Sequence, residues 1–412
     1  MNTDFIKGVV VPILTPIDAD ERIDEAAFRR QIDYVIDGGM HGILVFGSNG
    51  EFYQIEEDEM ERGLQIAVSQ AAGRIPVYFG IGAINTKKCV RLAKMAVRNG
   101  AAAVSILQPM FLKPTQDELF LHFKTVAEAI PETPVLLYNN PGRVGYGMTT
   151  ALITRLAHEV DNIVGMKDTS GDITLTEECV RLNRDIGFKV FGGKDTLLYA
   201  SLCVGAVGGV CTAGNFMPEL IGAVYERYAA GDMQGSMEAQ FKLNPVRLSM
   251  DPASFPVAAK DMAKLRGLEV GDPYRPNLPT PEGPVLENIR KAMRDAGLIE
   301  SKTTGRIHRP VFRRQLWKHS VSKSTNATMS PSPSVILQRE QRFPTGPCCG
   351  RTFPRHIRSH CAISRRAVRS CATALCWAPC AKICPGEAGS TRQTLPWPPR
   401  RIWTPCVLRK TL

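Results

Sequence analysis

Features of several common protein classes are missing from this 412-residue sequence. It contains no run of about 20 apolar residues, so no membrane-spanning helix is predicted. The N-terminal segment MNTDFIKGVVVPILTP lacks a basic start, and Pro12 and Pro16 interrupt its apolar run, so it does not resemble a signal peptide. We therefore expect a cytoplasmic protein with no membrane partner.

Histidine is scarce before residue 301, where only His41, His122 and His158 occur. None of them follows an apolar, strand-like run, so the cluster of histidines and carboxylates that a catalytic metal needs is not predicted. Four scattered cysteines in the same region lack the paired spacing of a disulfide or zinc framework and indicate buried, reduced thiols. We expect neither a metal nor another cofactor.

Charge divides the chain near residue 301. Residues 1–300 hold 30 Lys and Arg against 38 Asp and Glu, whereas residues 301–412 hold 21 against 2. This Arg-, Pro- and Cys-rich tail has three interpretations: a nucleic-acid-binding arm, a zinc module, or a segment that is translated out of frame or does not fold. Its cysteine spacing does not match paired zinc ligands, and its tryptophans are unusual for a basic arm, so the last interpretation is favoured.

Eight short apolar runs alternate with amphipathic segments in residues 1–215. The runs begin at Gly8, His41, Pro76, Ala102, Val135, Asn162, Phe188 and Ala206. Segments with helical periodicity lie between them, for example 24–36, 56–72, 86–99, 115–130 and 149–160. Apolar strands that each precede a helix indicate a parallel sheet covered on its outer face, and eight such units predict an α/β fold, the (β/α)8 TIM barrel.

Strand-like runs stop after residue 215. Segments 218–230, 233–250, 255–268 and 284–296 have helical periodicity, with a proline-rich connection before the last. We therefore predict a catalytic barrel in residues 1–215, a C-terminal helical region in 216–300 and the tail in 301–412.

Chemistry in a barrel of this kind lies at the carboxyl ends of the strands. Lys167 ends the sixth apolar run, in GMKDT, where burial would favour the neutral amine. A neutral lysine can attack a ketone and form a Schiff base, whose iminium draws electrons from the neighbouring carbon. Tyr138 ends the fifth run, and no histidine accompanies this pair.

Three motifs, GSNGE, YNNPGR and GMKDTSGD, resemble those of the dihydrodipicolinate synthase and N-acetylneuraminate lyase family at the same spacing. The resemblance covers residues 5–299 and implies a lyase that acts on pyruvate or another 2-oxo acid. It also implies a homotetramer that needs no cofactor. In this family Lys167 would form the Schiff base, Tyr138 would relay protons, and Ser48 with Asn49 would hold the substrate carboxylate.

The resemblance assigns three further substrate-binding positions. Arg143 matches an arginine that binds the second substrate's carboxylate in the synthases. Asp195 matches a hydroxyl-binding carboxylate of the sugar-acid lyases, although an N-cap of the following helix would also explain it. Val210, at the end of the eighth run, completes the set.

Two departures from the synthase pattern bear on the substrate. Ser48 and Asn49 replace a Thr-Thr pair, and Phe111 stands where the synthases carry a tyrosine that completes a proton relay. We therefore expect a 2-keto-3-deoxy sugar acid aldolase or dehydratase. The alternative is 4-hydroxy-tetrahydrodipicolinate synthase, which condenses pyruvate with aspartate semialdehyde and is favoured by Arg143. An alternative of another class is a non-catalytic barrel whose basic tail binds nucleic acid.

Overall fold

The eight predicted strands are all present in the computed structural model, which describes residues 1–300. The predictions for residues 301–412 lie outside the described residues. The strands are β1 Gly8–Pro12, β2 Gly42–Val45, β3 Val77–Ile81, β4 Ala103–Leu107, β5 Val135–Asn139, β6 Ile163–Asp168, β7 Lys189–Gly192 and β8 Gly208–Val210. Their short and mainly apolar sequences are buried almost throughout, as strands covered on both faces require.

All eight strands pair in parallel and in chain order, and β8 returns to β1 to close the barrel. At this seam Val10 lies opposite Val210, and Gly8 lies opposite Gly208. A Cβ atom added at Gly208 would come within 2.0 Å of the carbonyl oxygen of Gly8, so the close approach of the two strands requires glycine there. The predicted (β/α)8 barrel is confirmed.

Helices follow the strands, both at the segments named from the sequence and at three further places. They are α1 Glu25–Asp37, α2 Glu57–Ala71, α3 Thr86–Arg98, α4 Gln116–Glu128, α5 Pro141–Val144, α6 Thr150–Glu159, α7 Ile173–Leu182, α8 Leu198–Cys203, α9 Pro218–Ala229, α10 Met233–Leu248, α11 Val257–Leu265 and α12 Pro284–Asp295. Side-chain caps fix several starts: Asp24 accepts from the Ala27 N–H, and Thr115 forms a capping box with Glu118. Such caps satisfy N–H groups that the first helical turn leaves without partners.

Two apolar cores lie on either side of the barrel wall. The outer core joins the strands to the surrounding helices. The inner core takes Val10, Leu44, Tyr78, Leu136 and Phe191 from five different strands, and further apolar residues complete it. On β6 the inward position beside this core is occupied by a lysine, Lys167.

The C-terminal helices pack around one part of the barrel. Helix α10 contacts α8, α9 and α12, while α11 contacts the 3-10 turn Thr212–Asn215 that follows β8. Through these contacts residues beyond 216 reach the loops at the carboxyl end of the barrel. No helix among residues 1–300 is long and apolar enough to cross a membrane.

Candidate active site

Lys167 and Tyr138 lie side by side on neighbouring strands. They are paired in the register of β5 and β6, and each side chain is only 6% exposed. The Lys167 Nζ atom lies 4.2 Å from the centre of the Tyr138 ring. The structure thus places a buried amine against a phenol at the carboxyl end of the barrel, where enzymes of this architecture carry their chemistry.

The Tyr138 hydroxyl is surrounded by polar groups. It accepts a hydrogen bond of 2.8 Å from Asn140 Nδ2. Burial alone would raise the pKa of Tyr138, but the charge of Lys167 and the neighbouring Ser48, Thr169 and Lys167 side chains outweigh it, so the pKa lies below its usual value. A phenol that ionises more readily than usual, next to an amine, is suited to accept and return a proton.

Ser48 and Asn49 lie in a 3-10 turn, Ser48–Gly50, directly after β2. The Thr15 hydroxyl donates to the Gly50 carbonyl at 2.8 Å, and Asn49 Nδ2 donates to Thr212 Oγ1 at 2.9 Å. These bonds tie the turn to the loops after β1 and β8. Because Ser48 also neighbours the Tyr138 hydroxyl, the structure brings Ser48, Tyr138 and Lys167 together.

Arg143 lies at the rim of this site, in the short helix α5 that follows the strand of Tyr138. Its side chain is exposed, and its guanidinium stacks on the ring of Phe255, with 4.1 Å between Cζ and the ring centre. Phe255 lies two residues before α11, so the C-terminal region supports this arginine. A guanidinium that is stacked on a ring can still bind a carboxylate in a bidentate manner, through two parallel N–H···O hydrogen bonds.

Asp195 is buried at the end of β7 and binds backbone groups of another loop. Its two oxygens accept from the N–H groups of Thr212 at 2.9 Å and Ala213 at 3.0 Å, and Arg247 Nε lies 3.5 Å away. Asp195 is the first residue of a 3-10 turn, and α8 after it begins without a side-chain cap, so the interpretation of Asp195 as an N-cap of the following helix is wrong. Instead, Asp195 holds Thr212, the residue that contacts Asn49.

The surroundings of Asp195 shift the pKa of its carboxyl group in opposite directions. Burial raises its pKa, while Arg247, the two backbone donors and Lys167 oppose that shift. Lys167 is therefore close enough to affect this carboxyl. The last predicted position, Val210, is 4% exposed and borders the same small internal cavity as Lys167.

Phe111 does not lie in a buried site. It is 90% exposed and adopts a φ of +76°, which is uncommon for a residue other than glycine. Of the predicted set, the structure thus brings Lys167, Tyr138 and Ser48 together, while Asn49 and Asp195 both contact Thr212. It places Arg143 and Phe111 on exposed surface.

Some residues at the site were not predicted from the sequence. Asn140 follows Tyr138 in the YNNPGR motif, and its position at a strand end could have indicated it. Glu51 and Lys260 form a buried ion pair beside the Ser48–Gly50 turn, and no local pattern marks it. Among residues 1–300 no three His, Cys, Asp or Glu side chains lie close enough together to hold a metal ion.

Comparison with known proteins identifies the family. The model of the dihydrodipicolinate synthetase family matches residues 5–296. The chain belongs to this family. With the other members, it is a lyase that forms a Schiff base.

Individual relatives cover the described part of the chain almost completely. A 4-hydroxy-tetrahydrodipicolinate synthase of Thermus thermophilus is 33% identical over 296 residues, which are 72% of this chain and 98% of that protein. The crystal structure of dihydrodipicolinate synthase from Thermotoga maritima matches with a TM-score of 0.69 and 29% identity, covering 72% of this chain and 100% of that one. YagE, a prophage protein of the family from E. coli K12 in complex with pyruvate, matches with a TM-score of 0.68 and 26% identity, covering 71% and 99%.

Proposed function

We propose that Lys167 forms an imine with the carbonyl carbon of pyruvate or a related 2-oxo acid. The amine adds to the ketone, water leaves, and the resulting iminium makes a proton on the adjacent carbon acidic. Loss of that proton gives an enamine, which attacks an acceptor or is formed when a carbon–carbon bond breaks. The observation that carries this proposal is the buried Lys167 Nζ, 4.2 Å from the Tyr138 ring.

In this proposal the remaining residues bind substrate and move protons. Tyr138 takes the proton released during imine formation and returns one to the product, a role supported by its lowered pKa. Ser48 and Asn49 hold the carboxylate of the 2-oxo acid through hydroxyl, amide and backbone N–H donors. Asp195 keeps the neighbouring Thr212 in place.

The first candidate for the complete reaction is condensation of the pyruvate enamine with aspartate semialdehyde. The relatives named 4-hydroxy-tetrahydrodipicolinate synthase favour it over the sugar-acid reaction that the sequence led us to expect. Arg143 supports it because an exposed guanidinium, in the helix that follows the strand of Tyr138, can bind the carboxylate of a second substrate.

The second candidate is aldol cleavage or dehydration of a 2-keto-3-deoxy sugar acid. Phe111 favours it, because an exposed phenylalanine cannot supply the hydroxyl of the synthase relay. Asn49 also favours it, since the buried amide differs in shape and hydrogen bonding from the threonine of the synthases.

Product analysis with both classes of substrate separates the candidates. In the synthase case, R143M lowers kcat/KM for aspartate semialdehyde by about 100-fold, while the yield of borohydride-trapped pyruvate stays unchanged. The matched control is R155M, because Arg155 also stacks on a phenylalanine, 3.7 Å from the Phe120 ring centre, but on the outer helix α6. If the protein turns over 2-keto-3-deoxy acids but not aspartate semialdehyde, the first candidate is wrong and the second is correct. Turnover of neither, with no trapped pyruvate, would contradict both.

A further inference from the structure

A second lysine, Lys260 on α11, is buried close to the turn that carries Ser48 and Asn49. Its Nζ lies 2.8 Å from Glu51 Oε1, and both side chains have 0% exposure. Removing two charges from water is costly, and a buried ion pair is often no more stabilising than apolar residues of the same size. The pair also takes no part in the proposed chemistry, so its presence calls for another explanation.

The two charged groups connect three segments of the chain. The second oxygen of Glu51 accepts the N–H of Tyr274 at 2.9 Å. Lys260 Nζ also donates to the carbonyl oxygen of Asp272 at 2.8 Å. The loop after β2 is thereby fastened to α11 and to the segment 272–274, both of which belong to the C-terminal region.

Glu51 occupies a critical position in that loop. It ends the Ser48–Gly50 turn with a φ of +58°, in the left-handed region that residues with a Cβ atom rarely adopt. Such a conformation persists only when surrounding contacts hold it. The contacts of the Glu51 side chain with Lys260 and Tyr274 are contacts of this kind.

We propose that Lys260 is a positioning residue for binding of the 2-oxo acid. By holding Glu51 in its left-handed conformation, it fixes the direction in which the turn presents Ser48 and Asn49 to the substrate carboxylate. This inference rests on the proposed function, since it assumes that the turn binds that carboxylate. Lys260 touches no reacting atom and acts through Glu51 alone.

Three variants test the inference: E51M, K260M and the double variant E51M/K260M. Methionine is unbranched and close in length to both residues, so the left-handed backbone is disfavoured to the same degree as in the unaltered protein. Each single variant leaves one buried charge without a partner and lowers Tm, whereas the double variant recovers Tm because neither charge remains.

The decisive readout is the pyruvate concentration that gives half-maximal borohydride trapping at Lys167, measured well below Tm. We expect it to rise by about tenfold in all three variants, including the double variant. The maximal extent of trapping stays the same. The control is R266M: Arg266 caps the same helix and pairs with Glu219 at 2.8 Å, but has no contact with the loop. R266M lowers Tm without changing half-saturation.

The possible results separate this inference from the function on which it rests. Recovery of half-saturation together with Tm in E51M/K260M would show that the pair only stabilises the fold, and would overturn the inference alone. A tenfold rise in R266M would also overturn it, because loss of stability would then explain the effect. Absence of any adduct in the unaltered protein would overturn both the proposed function and the inference.

Discussion

Two lysines are buried among residues 1–300, and they differ in their partners. Lys260 is fully buried and pairs with Glu51. Lys167 is 6% exposed, lies against the Tyr138 ring and forms no ion pair with any residue that the structure describes. Burial is common to both, so burial alone does not mark a catalytic amine. Burial lowers the pKa of Lys260, and the Glu51 carboxylate opposes that shift and occupies the amine. No carboxylate among the described residues occupies the amine of Lys167, which lies against an aromatic ring.

The largest expected effect is the loss of activity in K167M. Removing the nucleophile lowers kcat by about 10⁴-fold or more, and borohydride with pyruvate gives no adduct. Because the variant loses a buried amine without an ionic partner, its Tm stays equal or rises. A fall in Tm like that of K260M would erase the distinction between the two lysines.

K260M tests whether Lys260, in contrast to Lys167, has a structural role. It leaves the Glu51 carboxylate buried without its cation, and we expect the free energy of unfolding to fall by roughly 3–5 kcal/mol. Urea denaturation measures this change. At saturating pyruvate the folded fraction still forms the imine, since Lys167 is intact. Loss of the imine from folded K260M would mean that Lys260 takes part in the chemistry itself.

Y138F removes the proton relay but keeps the aromatic ring over Lys167. We expect kcat to fall by about 100- to 1,000-fold, the range of general acid–base catalysis. Trapping of pyruvate continues at a reduced rate, because imine formation needs the amine first. Equal kcat values for Y138F and the unaltered protein would remove Tyr138 from the mechanism.

A pH titration examines the same phenol directly. Of nine tyrosines, eight have pKa values above their usual value, and Tyr138 alone lies below it. As pH rises, the first phenolate absorbance should therefore belong to Tyr138, at a pH below the usual tyrosine pKa of about 10. Y138F loses this first step and keeps the later ones. An unchanged first step would show that another tyrosine ionises earliest.

The smallest expected effect is that of F111Y. It restores a hydroxyl at an exposed position. If the synthase is the correct candidate, kcat with aspartate semialdehyde rises by about two- to tenfold, the lower end of a proton-transfer contribution. The rate with 2-keto-3-deoxy acids stays the same. F111L is the matched control, because it changes the ring without adding a donor. An equal increase of kcat in F111L would mean that a change in packing, and not the added hydroxyl, causes the effect.

Local sequence patterns were sufficient for the barrel. Each strand appears as a continuous apolar run, and the helices as periodic segments, because both faces of a parallel sheet are buried. Helices α5, α7 and α8 were not among the segments named from the sequence. The division at residue 215, the cytoplasmic location and the homotetramer remain predictions.

Residues near the site were predictable from the sequence only where they lie at, or shortly after, the carboxyl end of a strand. Lys167 and Tyr138 do so, and the register of β5 and β6 brings them together. Lys260 does not: within FPVAAKDMAKL it has the pattern of a lysine on an ordinary helix. Its partner Glu51 lies in a distant loop, and no periodicity within either segment encodes that contact. For the same reason, the bonds from Asp195 to Thr212 and Ala213 emerged only from the fold.

Mass spectrometry of the protein after reduction with borohydride in the presence of pyruvate tests the central claim most directly. Lys167 and Lys260 are the buried lysines in the part of the chain that the structure describes, and peptide mapping distinguishes them. We predict a reduced three-carbon adduct on Lys167 and none on Lys260. An adduct on Lys260, or an unmodified Lys167 in active protein, would contradict the account.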